Sequence, residues 1–165
     1  MNLGRLFRHW LQPGWWAHRR FSDATCFAIE QAIATSEKHH MAELCFVVEA
    51  AMPTEALLRA QSPRARAIEL FGIRRIWDTE HNSGVLIYVQ LVDHTVDIVA
   101  DRGVDARVGQ QYWHDVCRRM EARFATGAFE AGALEAISDI SSVLAKHFPA
   151  VGDNPDELPN RPVRL

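Results

Sequence analysis

Two polar segments hold the residues best suited to chemistry. Trp77-Asp78-Thr79-Glu80-His81-Asn82-Ser83 precedes one apolar run, and Asp101-Arg102-Gly103-Val104-Asp105 follows another. The two runs, Gly84–Val92 and Val96–Asp101, are separated by Asp93-His94-Thr95, so they read as an antiparallel hairpin. With Val92 facing Val96, Gly84 falls opposite Val104 and the two polar segments meet at one end of the sheet. Asp78, Glu80, Asp101 and Asp105 then converge, with His81 and Asn82 beside them. Such an oxygen-rich cluster suits a hard divalent cation, calcium or magnesium, which could in turn hold a phosphate. Arg102 and Arg107 could contact the same anion. The plainer alternative is a pair of solvated loops, since Asp, Asn and Gly are also the residues that turns favour. Asp93, at the other end of the hairpin, is expected only to form its turn.

A second constellation lies at the N-terminus. Leu3, Leu6, Phe7, Trp10 and Leu11 recur at helical spacing, with Arg5, Arg8 and His9 mostly off that stripe. Pro13-Gly14 ends the helix, and Trp15 and Trp16 follow. Three of the five tryptophans therefore lie in this leader, mixed with arginine. Such a helix can rest in a bilayer interface, bind a membrane-bound partner, or pack on its own domain. The candidate membrane or partner residues are Leu3, Arg5, Leu6, Phe7, Arg8, Trp10, Leu11, Trp15 and Trp16.

The elements that position these residues follow from periodicity. A helix begins at Ser22 or Asp23, with Cys26, Ile29 and Ile33 as its inner stripe. Glu43–Glu49 is a strand buried on both faces, with acids only at its ends. A helical segment opens at Pro53-Thr54-Glu55, is interrupted and re-capped at Ser62-Pro63, and stops at Gly72. After the hairpin, Trp113, Val116, Cys117, Met120 and Phe124 mark one helix and Leu134, Ile137, Ile140, Leu144 and Phe148 another. The expected fold is α/β, a small mixed sheet with one parallel crossover and one antiparallel hairpin, sandwiched by helices. The expected division is a leader over 1–20, an α/β domain over 21–149, and a Pro-rich disordered tail over 150–165.

Composition narrows the function classes. The chain has 165 residues, 48% hydrophobic and 24% charged, enough for one packed core. Net charge is -3, yet residues 1–20 carry Arg5, Arg8, Arg19 and Arg20 and no acid, so the body is more acidic than the total. An acidic body argues against nucleic-acid binding, which needs clustered cations. The longest stretch without a charged residue, His81–Val92, is shorter than the ~20 residues of a membrane-spanning helix. Cys26, Cys45 and Cys117 show no metal or redox spacing and read as buried free thiols in a reducing compartment.

The combined pattern resembles the TPM domain family. The resemblance rests on Phe71, on Trp77 through Tyr88 with its Asn82-Ser83-Gly84 leading into an apolar strand, on Val96 through Gly103, and on Phe124 through Gly132. It covers about residues 22–149 and implies an α/β sandwich. Some members of that family are described as acid phosphatases, with acidic residues and a divalent cation at the site. By position, that implies Asp78, Asn82 and Asp101 here, and also Asp105. The chain departs from better-known members in showing no signal peptide and no C-terminal membrane helix. It also has Asp101-Arg102-Gly103-Val104-Asp105 where many relatives have Gly-x-Gly. It looks like a short cytoplasmic bacterial member, peripheral at the inner membrane. The expected function is an interaction module on a membrane or membrane-bound partner. The alternative is a cation-dependent phosphatase using Asp78 and Asp101 on phosphomonoesters.

Overall fold

The computed structural model describes residues 3–151 and 157–165. Its centre is a four-stranded sheet in the order β3-β2-β1-β4, built from β1 (Glu43–Glu49), β2 (Gly84–Gln90), β3 (Thr95–Ala100) and β4 (Val163–Arg164). β1 pairs in parallel with β2 and β4, while β2 and β3 form the expected antiparallel hairpin. The crossover from β1 to β2 carries α4 (Thr54–Leu58) and α5 (Pro63–Ile73). Two helices, α1 (Leu3–Trp10) and α2 (Trp15–Arg20), precede α3 (Asp23–Ser36). After the hairpin come α6 (Arg102–Val108), α7 (Gln110–Ala125) and α8 (Phe129–His147).

Strand alternation divides the core into two layers. Leu44, Phe46 and Val48 of β1, with Val85, Ile87 and Val89 of β2, pack among Ile29, Ile33, Met120, Ile137 and Ile140 of α3, α7 and α8. Cys45, Val47, Leu86 and Tyr88 face the other way, onto Ala67, Leu70 and Ile76. Both central strands are thus buried on both faces, as their unbroken apolar runs require. Cys26, Cys45 and Cys117 are free, buried thiols. Burial raises the pKa of all three, to about 11 for Cys45 and about 12 for Cys117.

Ser22 and Ser62 cap α3 and α5 by accepting from the amides of Thr25 and Ala65, at 3.2 and 3.1 Å. Gly72 does not stop α5; the helix runs on to Ile73, and Arg75 takes the left-handed conformation (φ 55°) instead. Buried His40 bridges Ser36 and the Ala42 carbonyl, at 2.9 and 3.0 Å. A carbonyl only accepts, so Nδ1 carries the proton and Nε2 accepts from the Ser36 hydroxyl. Burial lowers the pKa of this imidazole to about 4.

The expected disordered tail needs correction over residues 157–165. β4 extends the sheet beside β1, and Ala50 and Leu165 exchange backbone contacts with that edge (Ala50 N to Leu165 O 2.9 Å, Leu165 N to Val48 O 2.8 Å). Buried Glu43 accepts from the amides of Glu157 and Leu158, at 3.3 and 3.2 Å. Prolines exclude a segment from the middle of a sheet, but not from an edge, where one side needs no partner. Of the remaining tail, residues 152–156 lie outside the described residues. The expected boundary at residue 20 also falls within packed structure: Ala17 and Phe21 are fully buried in the main core.

Candidate functional site

The hairpin brings the two polar segments to one end of the sheet, with a register three residues from the expected one. Val85 lies opposite Ala100, and the Asp101 amide donates to the Gly84 carbonyl at 2.9 Å. Gly84 therefore stands beside Asp101 rather than Val104. The cause is the turn, in which Leu91 through His94 link the strands and His94 adopts φ 55°. The next residues coil into the helix α6 rather than the expected loop. Gly103 still meets the loop: a Cβ there would lie 2.9 Å from the Asn82 carbonyl oxygen.

Asp78, Asp101 and Asp105 each have a separate local partner. Asp78 pairs with Arg75 on the exposed surface. Asp101 caps α6, accepting from the Arg102 amide at 2.5 Å. Asp105 lies inside α6 and accepts from Gln110 Nε2 at 2.6 Å. The Glu80 amide donates to the Glu157 carboxylate at 3.1 Å, and Asn82 holds φ 49° in a turn closed by its amide on the Thr79 carbonyl. Arg107 lies over the Phe148 ring and donates to the His147 carbonyl. Among the described residues, no three His, Cys, Asp or Glu side chains form a group that could hold a metal ion. The segments converge as expected; their carboxylates do not form one ligand set. The helix-capping role has a direct check. Asp101→Ala is expected to cost about 1 kcal/mol, read as a lower urea midpoint at unchanged slope.

The N-terminal constellation has a different geometry. α1 packs on its own domain, but with its polar side inward. Arg5 grips Asp93 through Nε and Nη2, at 3.0 and 2.7 Å to Oδ2, and donates from Nη1 to the Gln61 carbonyl at 2.7 Å. His9, fully enclosed one turn later, accepts from the Met52 amide at Nδ1 (3.1 Å), and its Nε2 lies 3.4 Å from Asp93 Oδ1. Burial lowers the pKa of His9, against the pull of Asp93. Burial alone would raise that of Asp93, yet Arg5 and His9 hold it below the usual carboxylate range. Leu6 turns inward onto Met52, Ala56 and Leu57, and Trp10 Nε1 donates to Thr54 Oγ1 at 3.2 Å.

The apolar stripe faces out. Leu3, Phe7, Trp10 and Leu11 are each about two-thirds exposed, and Trp15 is 57% exposed. Arg8, at the flank of the stripe, is also exposed. Arg5 therefore acts as an anchor to the domain, and Leu6 as part of a small core, rather than as members of a free face. Asp93, expected to serve only its turn, also anchors the helix through Arg5 and lies beside His9. No sequence signal marks this role, because 88 residues separate it from Arg5.

A family model described as TPM domain matches residues 18–143. The NMR structure of BA42 protein from the psychrophilic bacteria Bizionia argentinensis sp. nov. superposes with a TM-score of 0.75 at 29% sequence identity, covering 86% of this chain and 93% of that one. No match was found among curated proteins.

Proposed function

The chain belongs to the TPM domain family, and on that premise we propose that it is an interaction module that docks on an anionic membrane surface through α1. The observation that supports this most directly is the inverted seating of that helix. Arg5 and His9 are turned onto Asp93 and Met52, which leaves Leu3, Phe7, Trp10 and Leu11 in water. A short amphipathic helix packing only for its own domain's stability would bury that stripe. Contiguous exposed apolar side chains instead mark an interaction surface. Trp and Phe suit the headgroup boundary, and exposed Arg8 and Arg19 add attraction to anionic lipid. Among the described residues, no helix is long and apolar enough to cross a membrane, so the attachment would be peripheral.

The test is flotation of the full chain with vesicles of phosphatidylglycerol and phosphatidylcholine. The chain is expected to float with them, with a blue shift in tryptophan emission, and to lose binding at least tenfold in the double variant F7E/W10E. Both positions are exposed, so the fold should be retained, and an unchanged urea midpoint checks that. A chain that stays at the bottom of the gradient, or a double variant that binds as well as the parent, overturns the reading.

A further inference from the structure

A cavity of about 430 Å³ lies among α2, the β2–β3 turn and the α7–α8 connection. Its size falls within the ~300–1,000 Å³ typical of small-molecule sites. Val89, Leu91, Phe124 and Phe129 form its apolar walls, with Trp16 and Arg20 contributed by α2. The two phenylalanine rings stack at 5.1 Å, so that wall is rigid.

Arg20 is the distinctive group. Its guanidinium lies over the Trp16 ring at 5.4 Å and over the Phe129 ring at 5.1 Å. Contacts to aromatic rings hold the guanidinium in place without using its N–H donors in a hydrogen bond, and those donors suit a bidentate oxyanion. The side chain is exposed at the residue level, and among the described residues no carboxylate forms an ion pair with it. Of the other polar wall residues, Gln90 and Glu121 are engaged, whereas Thr95 Oγ1 is buried with no hydrogen-bond partner among the described residues. Gln90 donates to the Ala50 carbonyl and accepts from the Asp93 amide, at 3.2 and 2.7 Å. Glu121, the acid in the wall, accepts from the Val96 amide at 2.9 Å. The wall thus carries two charges, the Glu121 carboxylate tied to the β3 backbone and the Arg20 guanidinium held against two aromatic rings beside an apolar hollow.

We propose that this cavity binds a small amphipathic anion, its apolar body against Phe124, Phe129 and Leu91 and its carboxylate or phosphate on Arg20. The inference does not rest on membrane docking, because none of Leu3, Phe7, Trp10 and Leu11 lines the cavity.

The probe is octanoate below its micelle concentration, titrated into the full chain and followed by amide NMR shifts, with octanol and octylammonium as neutral and cationic controls. Octanoate should shift amides at residues 16–20, 89–95 and 121–129 in a saturable manner. It should bind about tenfold more tightly than octanol, and octylammonium should not bind at that site. Arg20→Gln should remove about tenfold in octanoate affinity and leave octanol unaffected, with an unchanged urea midpoint showing that the fold is intact. F7E/W10E should bind octanoate like the parent, so failure of vesicle docking and failure of this site are separable. Equal binding of octanoate and octanol, an unchanged Arg20→Gln, or shifts confined to the α1 stripe would each overturn the assignment.

Discussion

Arg66→Met is expected to cost about 3–5 kcal/mol of stability, because it strips the charge partner from a buried carboxylate. Glu49, at the end of β1, is 2% exposed and still receives both arms of Arg66, Nη2 at 2.7 Å and Nε at 3.2 Å. The Tyr88 hydroxyl donates to its other oxygen at 2.6 Å. Arg66 continues to Glu69 at 3.0 Å, and Gln61 joins there. Methionine keeps much of the arginine volume but leaves a carboxylate in the core with one neutral donor. Breaking a buried pair in this way is costlier than removing both charges together. The double variant E49L/R66M should therefore recover a large part of the loss. Urea unfolding by circular dichroism reads both, and a single-variant loss below 1 kcal/mol would show that Glu49 is solvated by other means.

The second large effect is steric. A Cβ on Gly84 would lie 1.9 Å from the Ile76 carbonyl oxygen and 2.9 Å from its carbon. Those are backbone atoms, so no rotamer change relieves the contact. Either the start of β2 or the turn after α5 must move, and both carry the hairpin and the acidic loop. Gly84→Ala is expected to cost about 3 kcal/mol or more and to loosen the Asp101 amide, read by hydrogen exchange. Gly72→Ala is the matched control. It lies in α5 with open space around its Cβ position, so alanine there should be neutral or slightly stabilising. Equal stability of the two variants would refute the close approach at Gly84.

Much of the fold is legible in local sequence. The central strands were legible because Leu44 through Val48 and Val85 through Val89 are uninterrupted apolar runs, a pattern set by burial on both faces. Ser22 and Ser62 were legible as caps because capping is chemistry within a few residues. The family resemblance drew on the same local features. Three elements were not legible. α6 hides behind Asp101-Arg102-Gly103, which reads equally as a turn. β4 lies in a Pro-rich segment whose composition suits a solvated tail, and only an open sheet edge recruits it. α2 is a six-residue helix whose order comes from Ala17 and its neighbour Phe21 in the core.

For the candidate sites the division is sharper. Sequence alone determined that Asp78, Glu80, Asn82, Asp101 and Asp105 lie in segments meeting at one end of a hairpin, and that the leader has an apolar stripe. Both follow from short-range periodicity and turn chemistry. Tertiary structure decided the hairpin register, the separate partners of Asp78, Asp101 and Asp105, and which way the stripe faces. Leu3 and Phe7 point outward because Asp93 and Gln61, distant in sequence, hold Arg5 on the domain side of the helix. Periodicity identifies the two faces of a helix. The choice between them rests on groups the fold brings together.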